Sequence, residues 1–274
     1  MSGRPHGHLI YKGRRVLLKC HRLLDGSHRH PPNALSALRR VLTDGAEAIE
    51  FDVRLTRDDV FVLVHDPTLE GETTGSGPVR RVTSGEFAAL RLRDADEPPA
   101  TLVEVVNVLR DHNHPVKVQV DLVEEASLSS HVAKALVDQL APLRANPHVR
   151  VVVGCEAAEK LLALRRLDPA LRVGLDIEAP VDAPAAEVSR RLRFVEDVSE
   201  YYIPKAFVLQ AVARGFNPIE YVHKQKPGAL VDVWTLYADE PDIARTIATV
   251  LEAGADQITT PTPISLLEVF NRRY

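Results

Sequence analysis

The run Glu50-Phe51-Asp52 sets two carboxylates two residues apart. In a strand, side chains alternate, so Glu50 and Asp52 share one face while Phe51 takes the other. Two adjacent inward carboxylates repel and lose solvation unless a cation sits between them. A hard ion that prefers oxygen ligands, Mg²⁺ or Ca²⁺, fits such a pair. Taken alone, the same tripeptide also fits a strand with one wet face. A second pattern occurs twice: Cys20-His21-Arg22 and Val64-His65-Asp66 each end an apolar run. Histidine exchanges protons near neutral pH, and a neighbouring arginine clamps an anionic oxygen. Two histidines at neighbouring strand ends would serve as base and acid of a phosphoryl transfer. Singly, each is better read as a core or capping histidine.

These side chains need a frame that brings strand ends together. Apolar runs of strand length alternate with helical periods along most of the chain. Strands are expected at 15–20, 46–53, 60–64, 116–122, 149–153, 171–177, 230–236 and 256–259, with a short one at 194–198. Helices are expected at 33–43, 102–110, 128–143, 157–167, 205–214, 241–253 and 264–272. Roughly eight strands with intervening helices favour an α/β fold, a (β/α)₈ TIM barrel, over a doubly wound sheet. The active site of such a barrel lies at the carboxyl ends of its strands. Residues 66–100 hold Gly71, Gly75, Gly77, Pro98 and Pro99 and lack periodicity. They read as an insertion after the third strand, with a short helix at 84–90. No linker divides the chain, so residues 1–274 are expected to form one barrel domain.

The chain has 274 residues with 34 basic and 38 acidic side chains, a formal charge of −4 and a pI near 6.3. No basic excess is present to neutralise a nucleic-acid backbone. An apolar fraction of 45% with 26% charged residues excludes a disordered chain. No apolar run reaches the ~18 residues of a membrane span, and Met1 to Arg15 lack the apolar stretch of a signal peptide. Cys20 and Cys155 cannot staple a fold of this size, so a cytoplasmic location is expected. Nothing in the chain fixes an oligomeric state.

The residues together resemble one family, the glycerophosphodiester phosphodiesterases. The run Ala46-Glu47-Ala48-Ile49-Glu50-Phe51-Asp52-Val53-Arg54-Leu55-Thr56-Arg57-Asp58 and the later Val64-His65-Asp66-Pro67-Thr68-Leu69 are similar to its A-x-x-I-E-x-D-V-x-x-T-x-D … H-D-x-x-L signature. Thr73-Thr74-Gly75-Ser76-Gly77, Ala100-Thr101-Leu102-Val103-Glu104-Val105, Val233-Trp234-Thr235 and Ala253-Gly254-Ala255-Asp256-Gln257-Ile258-Thr259 resemble later segments. The resemblance implies a metal-dependent barrel hydrolase releasing glycerol 3-phosphate and an alcohol from a small-molecule phosphodiester. It implies catalytic roles for His21 and His65, phosphate binding by Arg22, and metal ligation by Glu50 and Asp52. The implied mechanism is attack of the neighbouring glycerol hydroxyl on phosphorus through a cyclic phosphate, one histidine acting as base and the other as acid.

Several positions depart from the family pattern. H-R-G is His21-Arg22-Leu23 here, P-E-N-T is Pro31-Pro32-Asn33-Ala34 after a short insertion, and T-D-x-P is Thr259-Thr260-Pro261-Thr262. Leu23, Pro32 and Asp121 are all expected to reshape the phosphate and glycerol pocket. The E-x-K strand reads Gln119-Val120-Asp121, so an amide stands where the third metal carboxylate is expected. Gln119 and Asp121 share a strand face, about 7 Å apart. Either Asp121 supplies the missing charge or Gln119 binds weakly through its oxygen; alternatively Asp121 pairs with a basic neighbour such as Lys117. Trp234, at a strand end, is a candidate for stacking on substrate or for packing in the core. Cys20 is expected to be a buried thiol, and His28-Arg29-His30 a solvated turn. Two other readings stay open: a barrel that binds a phosphodiester or lipid headgroup without turnover, and a lyase releasing a cyclic phosphate.

Overall fold

A computed structural model describes residues 7–125, 127–177, 184–192 and 197–273. Ten strands form one sheet: β1 His8–Tyr11, β2 Arg14–Cys20, β3 Ala48–Leu55, β4 Phe61–Leu63, β5 Val116–Leu122, β6 Val149–Cys155, β7 Val173–Asp176, β8 Glu200–Pro204, β9 Leu230–Trp234 and β10 Gln257–Thr260. Two of them are antiparallel additions, β1 on β2 and β4 on β3. The others run parallel in the order β2-β3-β5-β6-β7-β8-β9-β10, and β10 pairs back onto β2. The eight parallel strands therefore close into the expected (β/α)₈ barrel.

Around it lie α1 Leu35–Thr43, α2 Ser84–Ala88, α3 Leu102–Arg110, α4 Ser130–Ala145, α5 Ala158–Leu167, α6 Pro184–Arg191, α7 Lys205–Ala213, α8 Pro218–Gln225, α9 Ile243–Ala253 and α10 Pro263–Arg273. The core lies between strands and helices. Phe51, Val53, Val118 and Val120 are buried there, at alternate positions to the polar residues that point inward. Local chemistry sets several helix starts. Thr101 caps α3 in a reciprocal box with Glu104, and Thr83 does the same for α2 with Glu86; each box satisfies two otherwise free N–H groups. Among the described residues, no helix is long and apolar enough to cross a membrane.

Two strand expectations change. Residues 61–63 do not form a barrel strand: Val53 faces Leu63 and Leu55 faces Phe61 in an antiparallel hairpin. The charged turn Arg57-Asp58-Asp59 between them is too short for a parallel crossover, which needs a dozen or more residues. The insertion accordingly leaves the barrel after this hairpin. The expected strand at 194–198 falls largely on residues 193–196, outside the described residues; the barrel strand is β8, two residues beyond that span. Lower in the barrel, Lys117 Nζ lies 2.5 Å from Glu200 Oε2 and also donates to Gln257 Oε1. That pairing overturns the idea that Lys117 neutralises Asp121.

Candidate active site

A cavity of about 730 Å³ opens among the ends of the strands, lined by Asp121, Cys155, Asp176 and Trp234 from the last residues of β5, β6, β7 and β9. His21, Arg22, Glu50, Asp52, His65 and Gln119 line the same cavity. The side chains named from the sequence as catalytic, substrate-binding or metal-ligating candidates thus converge on one cavity. Glu50 and Asp52 are buried and face inward, as strand parity requires. In the β3–β5 ladder Glu50 is the register partner of Gln119, and Asp52 that of Asp121. One oxygen from each of Glu50, Asp52 and Asp121 lies within 4.8 Å of the others.

Three carboxylates so close, two buried and one partly buried, are expensive. Burial, then Asp52 and Asp121, pushes the Glu50 carboxyl well above the usual range. Burial and then Asp52 push Asp121 up to about 7. Asp176 is likewise raised, by burial and by Asp121 and Glu156. A cation among the oxygens would offset the repulsion. Glu50 Oε2 accepts from the Arg22 N–H at 2.8 Å, while its buried Oε1 has no hydrogen-bond partner among the described residues. An oxygen-only donor set with an orphaned carboxylate atom fits a hard divalent cation. Gln119 differs: its Oε1 accepts from Lys19 Nζ, so its free acceptor is already engaged.

The histidines and arginine flank this cluster. His21 and Arg22 form a one-turn 3₁₀ segment directly after β2. His21 Nε2 is 4.0 Å from Glu50 Oε2. Burial first, then Arg22, His65 and Lys19, lowers the His21 imidazole to about 3, so it is neutral at physiological pH. Arg22 Nε lies 3.5 Å from Asp52 Oδ2. His65 Nδ1 donates to Asp66 Oδ1 at 2.8 Å, which leaves Nε2 as the ring nitrogen available for proton exchange. Trp234 is partly exposed at the cavity wall, and its buried Nε1 has no partner among the described residues. Trp234 thus lines the cavity and is not part of the hydrophobic core cluster.

Of the departures expected to reshape the pocket, only Asp121 lines it. Leu23 is wholly buried in the hydrophobic core. Its backbone keeps φ +64°, the left-handed conformation that suits the family glycine, but its side chain turns away from the cavity. Pro32 lines a neighbouring hollow of about 680 Å³ instead. Cys20 is buried in the core as expected, and burial pushes its thiol up to about 12.

Several positioning residues escape a reading of the sequence. Asn33, visible there only as part of a motif, donates from Nδ2 to Asp52 Oδ2 at 3.0 Å and to Glu72 Oε2 at 3.4 Å. Glu72 Oε1 accepts the N–H groups of His65 and Asp66 at 2.8 and 2.9 Å. These contacts tie the acidic cluster to the His65 loop. Lys19 also points inward; its alternation on β2 with the core residues Leu18 and Cys20 was the available signal.

The model of the glycerophosphoryl diester phosphodiesterase family matches residues 25–264, beginning just after His21 and Arg22. Glycerophosphodiester phosphodiesterase 1 of Mus musculus is 38% identical over 96 residues, covering 32% of this chain and 29% of that protein. The match thus spans less than a third of that relative. "Probable glycerophosphodiester phosphodiesterase 2" of Mycobacterium tuberculosis is 25% identical over 94% of this chain and 92% of its own length. An Oleispira antarctica phosphodiesterase solved with sn-glycerol-3-phosphate superposes with TM-score 0.71 at 21% identity, covering 93% of this chain and 96% of that one. A Thermotoga maritima glycerophosphodiester phosphodiesterase gives TM-score 0.65 at 21% identity, covering 93% and 98%. These solved structures share the barrel fold, and the family match over most of the chain goes further: the chain belongs to the glycerophosphoryl diester phosphodiesterase family.

Proposed function

We propose that this protein is a divalent-cation-dependent phosphodiesterase that converts a glycerophosphodiester to glycerol 3-phosphate and an alcohol. The observation that carries the reading is the clustering of Glu50, Asp52 and Asp121 oxygens within 4.8 Å in a cavity also walled by His21, Arg22 and His65. Glu50, Asp52 and Asp121 hold Mg²⁺ or Ca²⁺, and Gln119 stands outside the ligand set. The bound ion supplies charge stabilisation to the phosphate oxygens.

The remaining chemistry belongs to the chain. Arg22 binds a phosphate oxygen and balances charge growing on it. His21, neutral because burial holds its imidazole down at about 3, accepts the proton of the glycerol hydroxyl that attacks phosphorus. His65, oriented by Asp66, gives a proton to the leaving alkoxide, and the roles reverse when water opens the cyclic phosphate. Trp234 packs on the organic part of the substrate. The solved neighbour bound to sn-glycerol-3-phosphate supports a small-molecule substrate of this class. The free, buried thiols Cys20 and Cys155 suit a reducing compartment such as the cytoplasm, and the whole of 1–274 is taken as one barrel domain.

Assaying the purified protein on a panel of glycerophosphodiesters, with and without EDTA, tests this reading. Release of glycerol 3-phosphate that EDTA abolishes is the expected result. A cyclic phosphate as final product would make it a lyase, and binding without turnover would make it a receptor for the phosphodiester.

A further inference from the structure

Lys19 is 1% exposed inside the barrel. Its Nζ donates to Gln119 Oε1, lies 3.1 Å from Asp232 Oδ2, and stands 4.4 Å from the centre of the Tyr202 ring. Asp232 is held in turn by Thr259, whose Oγ1 donates to Oδ1 at 2.7 Å. The Lys19–Asp232 pair is therefore neutral overall, and repels a nearby cation far less than a bare ammonium would. Gly154 makes room for the arrangement. A Cβ there would come within 2.9 Å of Gln119 Nε2 and 3.1 Å of Asp121 Oδ1.

Gln119 is the register partner of Glu50 and would otherwise be well placed to offer its amide oxygen to the same cation. We propose that Lys19 is a positioning residue that holds the Gln119 oxygen away from the cation, closes position 119 as a ligand, and so makes Asp121 the third carboxylate. This inference rests on the cation site proposed above. An ammonium donor competes directly for an amide oxygen lone pair, and burial strengthens that contact. Asp121, two residues further on the same face, has no such donor among the described residues.

Calorimetric titration of Ca²⁺ and Mg²⁺ tests this, with thermal melts to check folding. The proteins are wild type, Gln119→Glu, the charge-balanced Lys19→Met/Asp232→Asn, and that pair combined with Gln119→Glu. With Lys19 present, a glutamate at 119 pairs with the ammonium and affinity stays unchanged. In the charge-balanced background the same substitution raises affinity about 10–100-fold, the range seen when groups that orient ligands are altered. A second comparison needs no change at Lys19: Asp121→Asn loses affinity, and adding Gln119→Glu fails to restore it. Strengthening by Gln119→Glu with Lys19 intact, rescue of Asp121→Asn, or no gain in either background would each overturn the role of Lys19. A Glu50→Gln control separates the two levels. If it leaves affinity unchanged, the cation site itself is wrong and the inference falls with it; if it loses affinity, those contrary outcomes refute Lys19 alone.

Discussion

Asp52 and Asp121 stand directly opposite each other on the parallel strands β3 and β5, two inward carboxylates at the mouth of one cavity. Like charges facing each other across a ladder destabilise a sheet, and here burial adds to the cost. The arrangement makes sense as a receptor for positive charge. Asp121→Asn is therefore expected to weaken Mg²⁺ and Ca²⁺ binding by at least about tenfold. Gln119→Ala, which removes a neutral amide already bonded to Lys19, should have a smaller effect. Calorimetry on both variants decides the matter; equal affinity in wild type and both mutants would refute the ligand assignment.

His21 and His65 exchange protons with the substrate in the proposed mechanism, and neither belongs to the apolar core. Substituting either with alanine should lower kcat by about 10²–10⁴-fold while leaving the melting temperature close to that of wild type. Steady-state kinetics beside thermal melts make the comparison. Turnover near the wild-type rate in either variant would remove that histidine from the chemistry.

Glu72 reaches back to cap two N–H groups of the His65 loop and accepts from Asn33 on its other oxygen. Glu72→Ala strands those donors, each at a cost of about 1–3 kcal/mol, and loosens the loop that carries His65. Lower stability in urea titration and a fall in kcat should appear together. Glu72→Gln keeps the acceptor for the N–H groups but turns an amide toward Asn33 Nδ2, so it should fall between. An alanine variant as stable and active as wild type would show that the strut is dispensable.

Leu23 sets two effects against each other. Its left-handed backbone, φ +64°, costs roughly 1–2 kcal/mol for a non-glycine residue. Its fully buried side chain is worth more, since emptying a leucine site costs about 2–5 kcal/mol. Leu23→Gly relieves the first and forfeits the second, so the variant should be less stable despite restoring the family residue. A rise in denaturation midpoint would mean that backbone strain outweighs burial here.

Much of this was legible along the chain because strand parity and apolar period are local properties. The period of two put Glu50 and Asp52 on one face and Phe51 on the other, and the alternation of strands and helices indicated the barrel. The histidines at the ends of β2 and after β4 could be named for the same reason. What the chain alone could not decide was which partner each group would meet. Phe61–Leu63 has the composition of a barrel strand yet turns back on β3, because its connection is short. Lys19 meets Gln119 across 100 positions of sequence, and Glu72 returns to the backbone of His65. Lys117 chooses Glu200 over Asp121, and Leu23 turns into the core instead of the cavity. Those choices depend on closure of the barrel, which brings distant strands within hydrogen-bond reach and strips away the water that would otherwise satisfy each buried charge.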